Sequence, residues 1–292
     1  MDVALTGATG FIGSHILTEL QNHGHKVTAF VRDDAQADTV GAAGATPAVV
    51  DLYDRSTVAT LLNEADAAVH TASPGDATSA DLDSAVVDAV LEAFAGTGKP
   101  YVHISGAWVY GNNLHITEES PFDAPPLVAW KEPIEQRIVN GNGMRGVVVT
   151  SGTAYGDGGG AMPGVLLASP QDEAGRLITL GTGQQHWATV HAADLADAFR
   201  RVLDSDSAQG HYVIGNGEHS SVAELTEAAA IAAGASGAVP GSDDEARARL
   251  GVLADVLLLD QAIDAEKARS ELGWAPSRPG LANEFRTGSY RR

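Results

Sequence analysis

Apolar residues follow two alternating patterns along the first two thirds of the chain. Short continuous apolar runs predict buried strands, whereas apolar residues that recur every three or four positions predict helices. The predicted strands cover residues 3–6, 27–31, 48–50, 67–69, 101–105 and 146–150. The predicted helices cover residues 11–20, a stretch from Asp34, 80–95 and 127–140. Continuously apolar strands that alternate with helices indicate an α/β fold with a doubly wound parallel sheet.

The alternation becomes less regular after Tyr155. A glycine-rich stretch at 156–164 predicts a flexible loop. The later patterns predict helices at 191–203, 221–233, 242–250 and 264–272, and one strand at 211–215. We expect a larger domain and a small C-terminal lobe. The larger domain would comprise residues 1–155 plus 186–215, and the lobe 156–185 plus 216–292.

Composition and charge limit the partners of this protein. The 292 residues include 18 Lys+Arg and 38 Asp+Glu, a formal net charge of −20, and the sequence pI is about 4.7. This negative field repels nucleic-acid phosphates and anionic lipids, so we expect neither a nucleic-acid nor a membrane partner. Without cysteine the chain has no disulfide and no thiolate metal site. No apolar run reaches the ~18 residues of a membrane span, and the N-terminus lacks a signal-peptide pattern. We expect a cytoplasmic monomer or homodimer that acts on a small molecule.

Glycines at a fixed spacing give the sharpest chemical signal. Gly7, Gly10 and Gly13 occur in T-G-A-T-G-F-I-G, directly after the first predicted strand and at the start of the first predicted helix. In that context the first glycine permits a tight turn and the second admits a pyrophosphate to the backbone. The third lets the helix pack closely on the sheet, so the motif predicts a dinucleotide site. The loop residues expected to contact the same cofactor are Thr9, Phe11 and Ile12.

Residues after the next strands indicate the type of cofactor. An acid at the end of the second strand would hold a ribose 2′-hydroxyl, but this chain has Arg32 there, which suits a 2′-phosphate. NADP is therefore favoured, and NAD stays possible. Asp51 and Leu52 follow the third strand, where they would contact the adenine. The residues expected beneath the cofactor, after the fourth strand, are Thr71, Ala72 and Ser73.

Four motifs in order carry a family resemblance: T-G-A-T-G-F-I-G, S-G-A-W-V-Y-G (105–111), V-H-A-A-D-L-A (190–196) and L-G-W-A-P (272–276). Together they make the chain resemble the extended or atypical short-chain dehydrogenase/reductases of the NAD(P)-dependent epimerase/dehydratase type. The resemblance covers essentially the whole chain. It implies a Rossmann domain that binds NAD(P) and a small substrate lobe.

The resemblance also shows a departure at the catalytic positions. The family uses a Ser/Thr–Tyr–Lys set with Y-x-x-x-K spacing. Lys131 matches the lysine, but Leu127 stands at the tyrosine position and Gly106 at the serine position, with Ser105 just before it. Leucine and glycine donate no proton, so the usual mechanism does not transfer.

Other side chains remain as candidates for catalysis and substrate binding. Lys131 would contact the nicotinamide ribose, Tyr110 or Tyr155 could replace the missing acid, and Ser105 could bind substrate or nicotinamide. Trp108 and Trp130 would border an apolar substrate.

The histidines do not predict a metal centre. His70 and His103 lie in strand patterns typical of the core. His186, His191 and Asp194 lack a further ligand at metal spacing, so we predict no metal.

Three functions remain open at this point. The first is an NADP-dependent oxidoreductase that transfers hydride to a small, apolar carbonyl, imine or enone with an atypical active site. The second is a catalytically silent NADP-binding sensor. The third is a sugar-nucleotide epimerase or dehydratase, which would need the absent tyrosine.

The acidic excess has two explanations, and salt distinguishes them. Only four of the basic residues are lysines, amid abundant Ala, Gly, Asp and Glu, which fits either adaptation to high salt or the codon bias of a high-GC genome. If salt adaptation is the cause, the melting temperature should rise strongly between 0.1 and 1 M sodium chloride. The reason is that the screening length falls from about 10 Å to about 3 Å, which relieves charge repulsion. A flat response would favour codon bias.

Overall fold

A seven-stranded parallel sheet forms the centre of the protein. The computed structural model describes residues 1–291. The strands of the sheet are β1 (Asp2–Thr6), β2 (Lys26–Val31), β3 (Thr46–Val49), β4 (Ala67–His70), β5 (Pro100–Gly106), β7 (Arg145–Ser151) and β11 (Gly210–Ile214). Their order is β3-β2-β1-β4-β5-β7-β11, and every neighbouring pair is parallel. The doubly wound α/β prediction is confirmed, and the strand order reverses between β1 and β4, where such sheets bind ligands.

Helices cover both faces of this sheet. The helices of the first two thirds are α1 (Phe11–Asn22), α2 (Asp34–Ala42), α3 (Arg55–Asn63), α4 (Ser79–Phe94), α5 (Lys131–Val139) and α7 (Ala192–Asp204). Successive residues of each strand point to opposite faces, so neighbours such as Val3 and Ala4 belong to different apolar cores. One core lies under α1 and α7, and the other lies under α3, α4 and α5.

The rest of the chain builds a smaller lobe with its own apolar core. Its helices are α6 (Ala161–Leu167), α8 (Val222–Ala233), α9 (Asp243–Leu250), α10 (Leu253–Leu257) and α12 (Leu281–Thr287), while α11 (Glu266–Leu272) packs beside β11 and α7. Three short parallel pairs complete the structure: β8 (Thr153–Tyr155) with β10 (Thr189–His191), β9 (Leu177–Ile178) with β12 (Ala238–Val239), and β6 (Asn113–Ile116) with β13 (Gln261–Ile263). A 3₁₀ turn covers Ala107–Tyr110. Sequence patterns missed all six short strands because two to four residues are too few to show a period.

Helix α8 begins and ends where local chemistry specifies. Ser221 and Glu224 form a reciprocal capping box at its start. Gly234 ends it in the left-handed conformation, with φ +70°, which glycine adopts without steric cost. The same capping-box pattern starts α9, at Ser242 and Glu245.

The helix predicted at 127–140 is wrong in its first turn. Helix α5 begins at Lys131, and residues 126–130 form turns instead. Pro133 explains the difference, because proline lacks the N–H that would bond to Ala129 and its ring would clash with that carbonyl. A start at Lys131 places Pro133 in the first helical turn, where no intrahelical N–H bond is needed.

Among the helices of residues 1–291, none combines the length and the apolar character needed to cross a membrane.

Candidate active site

Two joined clefts lie at the carboxyl edge of the sheet. The outer cleft, of about 870 Å³, runs past the ends of β1, β2, β3 and β4. The inner cleft, of about 400 Å³, lies between the start of α1, the end of β5, the β7–β8 segment and α6. Both are lined by Gly10, Thr71 and Ser73, so they form one continuous channel. A dinucleotide could therefore extend from the outer cleft into the inner one.

The glycine loop is shaped by contacts that no larger residue allows. Gly7 has φ +77°, and a methyl group on it would lie 2.6 Å from the backbone nitrogen of Ala72. A methyl group on Gly13 would overlap the carbonyl of Gly7. Gly10 caps α1 without a side chain of its own and lines both clefts. The first amides of α1 therefore face an open space that suits a phosphate group.

Arg32 lies at the far end of the outer cleft. Its backbone N–H donates to the side chain of Gln36 (3.2 Å), and Asp33 is used as the N-cap of α2. The Arg32 guanidinium is exposed, and no carboxylate within residues 1–291 forms a salt bridge with it. The side chain can therefore bind an anion in the outer cleft.

The outer cleft is also lined by Asp51 and Leu52, the residues predicted to contact the adenine. Asp51 Oδ1 accepts a hydrogen bond from the backbone of Tyr53 (2.9 Å), and this contact orders the turn after β3. Tyr53 also lines the cleft and is 49% exposed. Its ring offers a stacking surface for a base. Sequence reasoning missed Tyr53, although it directly follows Asp51-Leu52.

The walls of the inner cleft are mostly apolar, and no lining residue within 1–291 carries a charged side chain. The larger apolar residues of the wall are Phe11, Ile12, Trp108, Met162 and Trp187. The predicted Trp108 is therefore at the cleft. The predicted Trp130 does not line it: its ring packs against the core under α3, α4 and α5. Trp187 is the second tryptophan that lines the inner cleft, and the sequence analysis did not predict it.

A family model described as NAD dependent epimerase/dehydratase family matches residues 3–215. The chain belongs to this family. The predicted family resemblance is confirmed, and the family is one that depends on NAD.

Individual relatives are distant but cover much of the chain. The protein is 28% identical to the uncharacterized protein C2A9.02 of Schizosaccharomyces pombe, over 99% of this chain and 100% of that protein. It is 21% identical to a sterol-4-alpha-carboxylate 3-dehydrogenase, decarboxylating, of Dictyostelium discoideum, over 74% and 72% of the two chains. In structure it resembles a UDP-glucose 4-epimerase of Thermotoga maritima, solved with UDP-glucose. That likeness has a TM-score of 0.76 at 17% identity, covers 99% and 98% of the chains, and shows the fold.

Leu127 and Gly106 of this chain, which the resemblance matches to the family's tyrosine and serine, lie in different local structures. Leu127 is 38% exposed in the turn before α5, and its carbonyl accepts a hydrogen bond from the indole of Trp130 (3.1 Å). Because α5 begins only at Lys131, positions 127 and 131 do not share one helix. Gly106 lines the inner cleft and brings only backbone there.

Lys131 is held by a buried carboxylate. Its Nζ lies 3.5 Å from Oδ2 of Asp83 on α4, and 4.3 Å from the ring centre of Trp130. Lys131 is not among the residues lining either cleft. Its expected ribose contact therefore stays a prediction that requires the side chain to turn away from Asp83.

Two stacked histidines also contact the Asp83 carboxylate. His70 Nε2 lies 3.1 Å and His103 Nε2 3.3 Å from it, and the two rings are 5.0 Å apart. The remaining ring nitrogens contact the hydroxyls of Thr6 (2.7 Å) and Tyr101 (2.9 Å). Both histidines are thus satisfied core residues, as predicted.

The proton positions in this network are assigned so that every polar atom forms a hydrogen bond. Each histidine carries its proton on Nε2 and donates it to the Asp83 carboxylate, and the hydroxyls of Thr6 and Tyr101 donate to the two Nδ1 atoms. Burial alone would raise the pKa of Asp83, but hydrogen bonds from His103 and His70 hold that pKa well below its usual range. Burial lowers the pKa of His103 to about 4, so this ring is neutral at pH 7.

Ser105 lies behind the cleft rather than in it. The side chain is buried, and Oγ donates to Oε1 of Glu135 on α5 at 2.5 Å. It lines neither cleft. The geometry gives Ser105 a role in joining β5 to α5 and offers no support for the expected substrate or nicotinamide contact.

The two tyrosines considered as proton donors are also packed away. Tyr110 is 2% exposed and stacks on Phe122, with ring centres 5.5 Å apart. Tyr155 is fully buried and donates to the carbonyl of Pro279 (2.8 Å). Burial raises the pKa of both hydroxyls. Neither lines the inner cleft, so their burial argues against the catalytic roles expected for them.

The residues considered for a metal make other contacts. His191 accepts from the backbone of Ala193 and caps α7, and Asp194 accepts from Ser277 and Arg278. His186 pairs with Asp260 (2.8 Å). Within residues 1–291, no cluster of three or more His, Asp or Glu residues is arranged to hold a metal ion.

Several residues of the inner cleft were not predicted from sequence. They are Ser151, Gly152, Thr153, Met162, Trp187 and Gln261. Their signal in the sequence is weak, because they come from the junction of β7 and β8 and from later parts of the chain, which only the fold brings together.

The pH dependence of stability should depend on Glu135. Burial raises the pKa of this carboxyl to about 7, and its Oε2 has no hydrogen-bond partner within residues 1–291. A raised folded-state pKa contributes stability at low pH, and this contribution is lost as the pH rises through about 7. Glu135→Gln should therefore gain roughly 2–3 kcal/mol in free energy of unfolding relative to wild type between pH 5 and 8. Urea denaturation at both pH values measures this difference.

The matched control is Glu132→Gln, which removes an exposed carboxylate from the same helix. Its difference from wild type should change much less with pH, because Glu132 acts on Glu135 only as a nearby like charge. An equally small change for Glu135→Gln would contradict the assignment of a raised pKa to this buried carboxyl.

Proposed function

We propose that this family member is an NADP-dependent oxidoreductase that transfers hydride to a small, uncharged carbonyl, imine or enone. The observation that carries the proposal is the inner cleft: about 400 Å³, walled by tryptophan and other apolar side chains, and continuous with the dinucleotide cleft. A cleft of this size and polarity suits a compact apolar substrate. A distant relative whose name denotes a dehydrogenase agrees with the proposed reaction class.

The preference for NADP rests on the exposed guanidinium at the adenosine end. Arg32 lines the outer cleft without an acidic partner within residues 1–291, and the nearby Asp33 is occupied as a helix cap. A planar guanidinium matches a phosphate through paired hydrogen bonds. At the end of β2, where a carboxylate would select a free 2′-hydroxyl, the chain has Arg32.

Hydride transfer can proceed without the family tyrosine if another group orients the substrate oxygen. When bound, the reduced nicotinamide supplies the hydride, and the protein has to align the acceptor carbon. Among the hydroxyl side chains that line the inner cleft, those of Thr71, Ser73 and Ser151 are engaged in hydrogen bonds. Thr153 lines the same cleft, and its hydroxyl has no protein partner in the described chain. We assign Thr153 to hold the acceptor oxygen, with water supplying the proton.

A sugar-nucleotide epimerase is the second candidate, favoured by the family and by the likeness to solved epimerases. Such a substrate brings a diphosphate. In the described part of the chain, the inner cleft has no cationic side chain to bind it, and Leu127 cannot exchange a proton with a sugar hydroxyl. The oxidoreductase proposal therefore fits the geometry better.

Cofactor preference tests the role of Arg32. Arg32→Ala should weaken NADPH binding by about 1–3 kcal/mol, the range for a charge-assisted contact, and should leave NADH affinity nearly unchanged. Fluorescence titration of both reduced cofactors measures this. The control is Arg247→Ala, which removes an exposed arginine paired with Asp255 on the far lobe. Equal affinities of wild type for NADPH and NADH would overturn the NADP assignment.

Turnover tests the reaction. Wild type should consume NADPH with at least one small apolar ketone, imine or enone, and Thr153→Val should lower kcat more than Thr153→Ser, since only serine keeps the hydroxyl. The measurement is NADPH absorbance over a substrate panel that includes a nucleotide sugar. Tight NADPH binding without turnover would identify a sensor, and efficient conversion of the nucleotide sugar would identify an epimerase or dehydratase.

A further inference from the structure

A glycine-rich loop forms part of the inner cleft wall. The 156–160 loop follows β8 and leads into α6, whose Ala161 and Met162 line the cleft together with Gly160. The sequence predicts a flexible segment here because four of its five residues are glycine. The structure instead shows each part of the loop bound to another segment.

Tyr290, near the C-terminus, bridges both ends of this loop. Its hydroxyl accepts a hydrogen bond from the backbone N–H of Gly156 (2.8 Å) and donates to the carbonyl of Gly159. Burial raises the pKa of Tyr290 to about 12, so the hydroxyl keeps the proton that it donates. The ring is fixed against Phe285 of α12, with ring centres 5.0 Å apart.

Ser289 binds the tip of the loop in the same way. Its hydroxyl accepts from the N–H of Gly158 (2.8 Å) and donates to Oε2 of Glu284 (2.7 Å). The backbone N–H of Ser289 also donates to that carboxylate (3.0 Å). The hydroxyls of Tyr290 and Ser289 therefore each accept a hydrogen bond from one loop amide and donate a hydrogen bond to a fixed acceptor.

The opposite side of the loop packs on the cofactor helix. A methyl group on Gly159 would lie 2.5 Å from Cε2 of Phe11, so the loop backbone rests directly on that ring. Asp157 also pairs with His15 of α1 (2.9 Å). Phe11 lines the inner cleft beside the glycine motif. The loop thus lies between Ser289 and Tyr290 on one side and helix α1 on the other, where we expect the nicotinamide end of the cofactor.

We infer that Tyr290 and Ser289 are positioning residues: they clamp the 156–160 loop against Phe11 and so shape the wall that receives the nicotinamide end of the cofactor. This inference rests on the proposed NADP site. It gives Tyr290 and Ser289 a function in cofactor binding, although neither residue lines a cleft. The clamp acts on the nicotinamide end alone, because the outer cleft receives no residue from this loop.

Tyr290→Phe tests the clamp, because it removes the hydroxyl and keeps the ring on Phe285. The matched control is Tyr212→Phe, which removes a hydroxyl of β11 that is bonded to Glu271 of α11, away from both clefts. Hydrogen exchange should be at least tenfold faster for the amides of 156–160 in Tyr290→Phe and unchanged in Tyr212→Phe. Ser289→Ala should accelerate exchange at Gly158 in particular.

Ligand binding shows whether the clamp serves the nicotinamide end. Tyr290→Phe should bind NADPH three- to tenfold more weakly than wild type, and should bind 2′-phospho-ADP-ribose, which lacks the nicotinamide, within twofold of wild type. NADH and ADP-ribose form the corresponding pair if the protein prefers NAD. Equal losses for both ligands of a pair, or no loss for either, would overturn the inference. Wild type that binds neither reduced cofactor would overturn the proposed function itself.

Discussion

The close packing of Gly7 against the end of β4 fixes where a ligand can bind. A side chain at Gly7 would collide with the backbone of Thr71 and Ala72, and one at Gly13 would collide with Gly7 itself. Thr71 adds a hydrogen bond from its hydroxyl to the carbonyl of Thr6 (2.9 Å), which joins the ends of β1 and β4. The strand order reverses at this pair, so the crevice there opens between helices of opposite faces. Both clefts extend from this contact.

A second constraint is the buried charge of Asp83, which connects the sheet to α5. A carboxylate in the core is tolerated only when it is paired and hydrogen-bonded. Here His70, His103 and Lys131 supply those contacts from β4, β5 and α5. The same network draws the ammonium group of Lys131 toward the core. Lys131, which the resemblance matches to the family's lysine, therefore takes part in supporting the fold.

The chain has the fold of this family, but Leu127 and Gly106 stand where the resemblance places the usual tyrosine and serine. Pro133 delays the start of α5, Leu127 lies in a turn, and the hydroxyls of Ser105, Tyr110 and Tyr155 are buried or bonded elsewhere. The inner cleft is left with apolar walls and a few hydroxyls. In the proposed oxidoreductase such a site relies on positioning, and the proposed clamp on the 156–160 loop would fix one of its walls.

The sequence by itself determined the parallel sheet and the glycine loop, because periodicity and glycine restrictions act between near neighbours. It also showed Leu127 where the resemblance places the family's tyrosine. Even the start of α5 follows from Pro133, a local rule. Only the tertiary structure decided that Trp187 rather than Trp130 borders the inner cleft. It alone joined Gly156 to Tyr290, which are 134 positions apart. Contacts of this kind depend on how whole elements pack, and no local pattern in either segment encodes its partner.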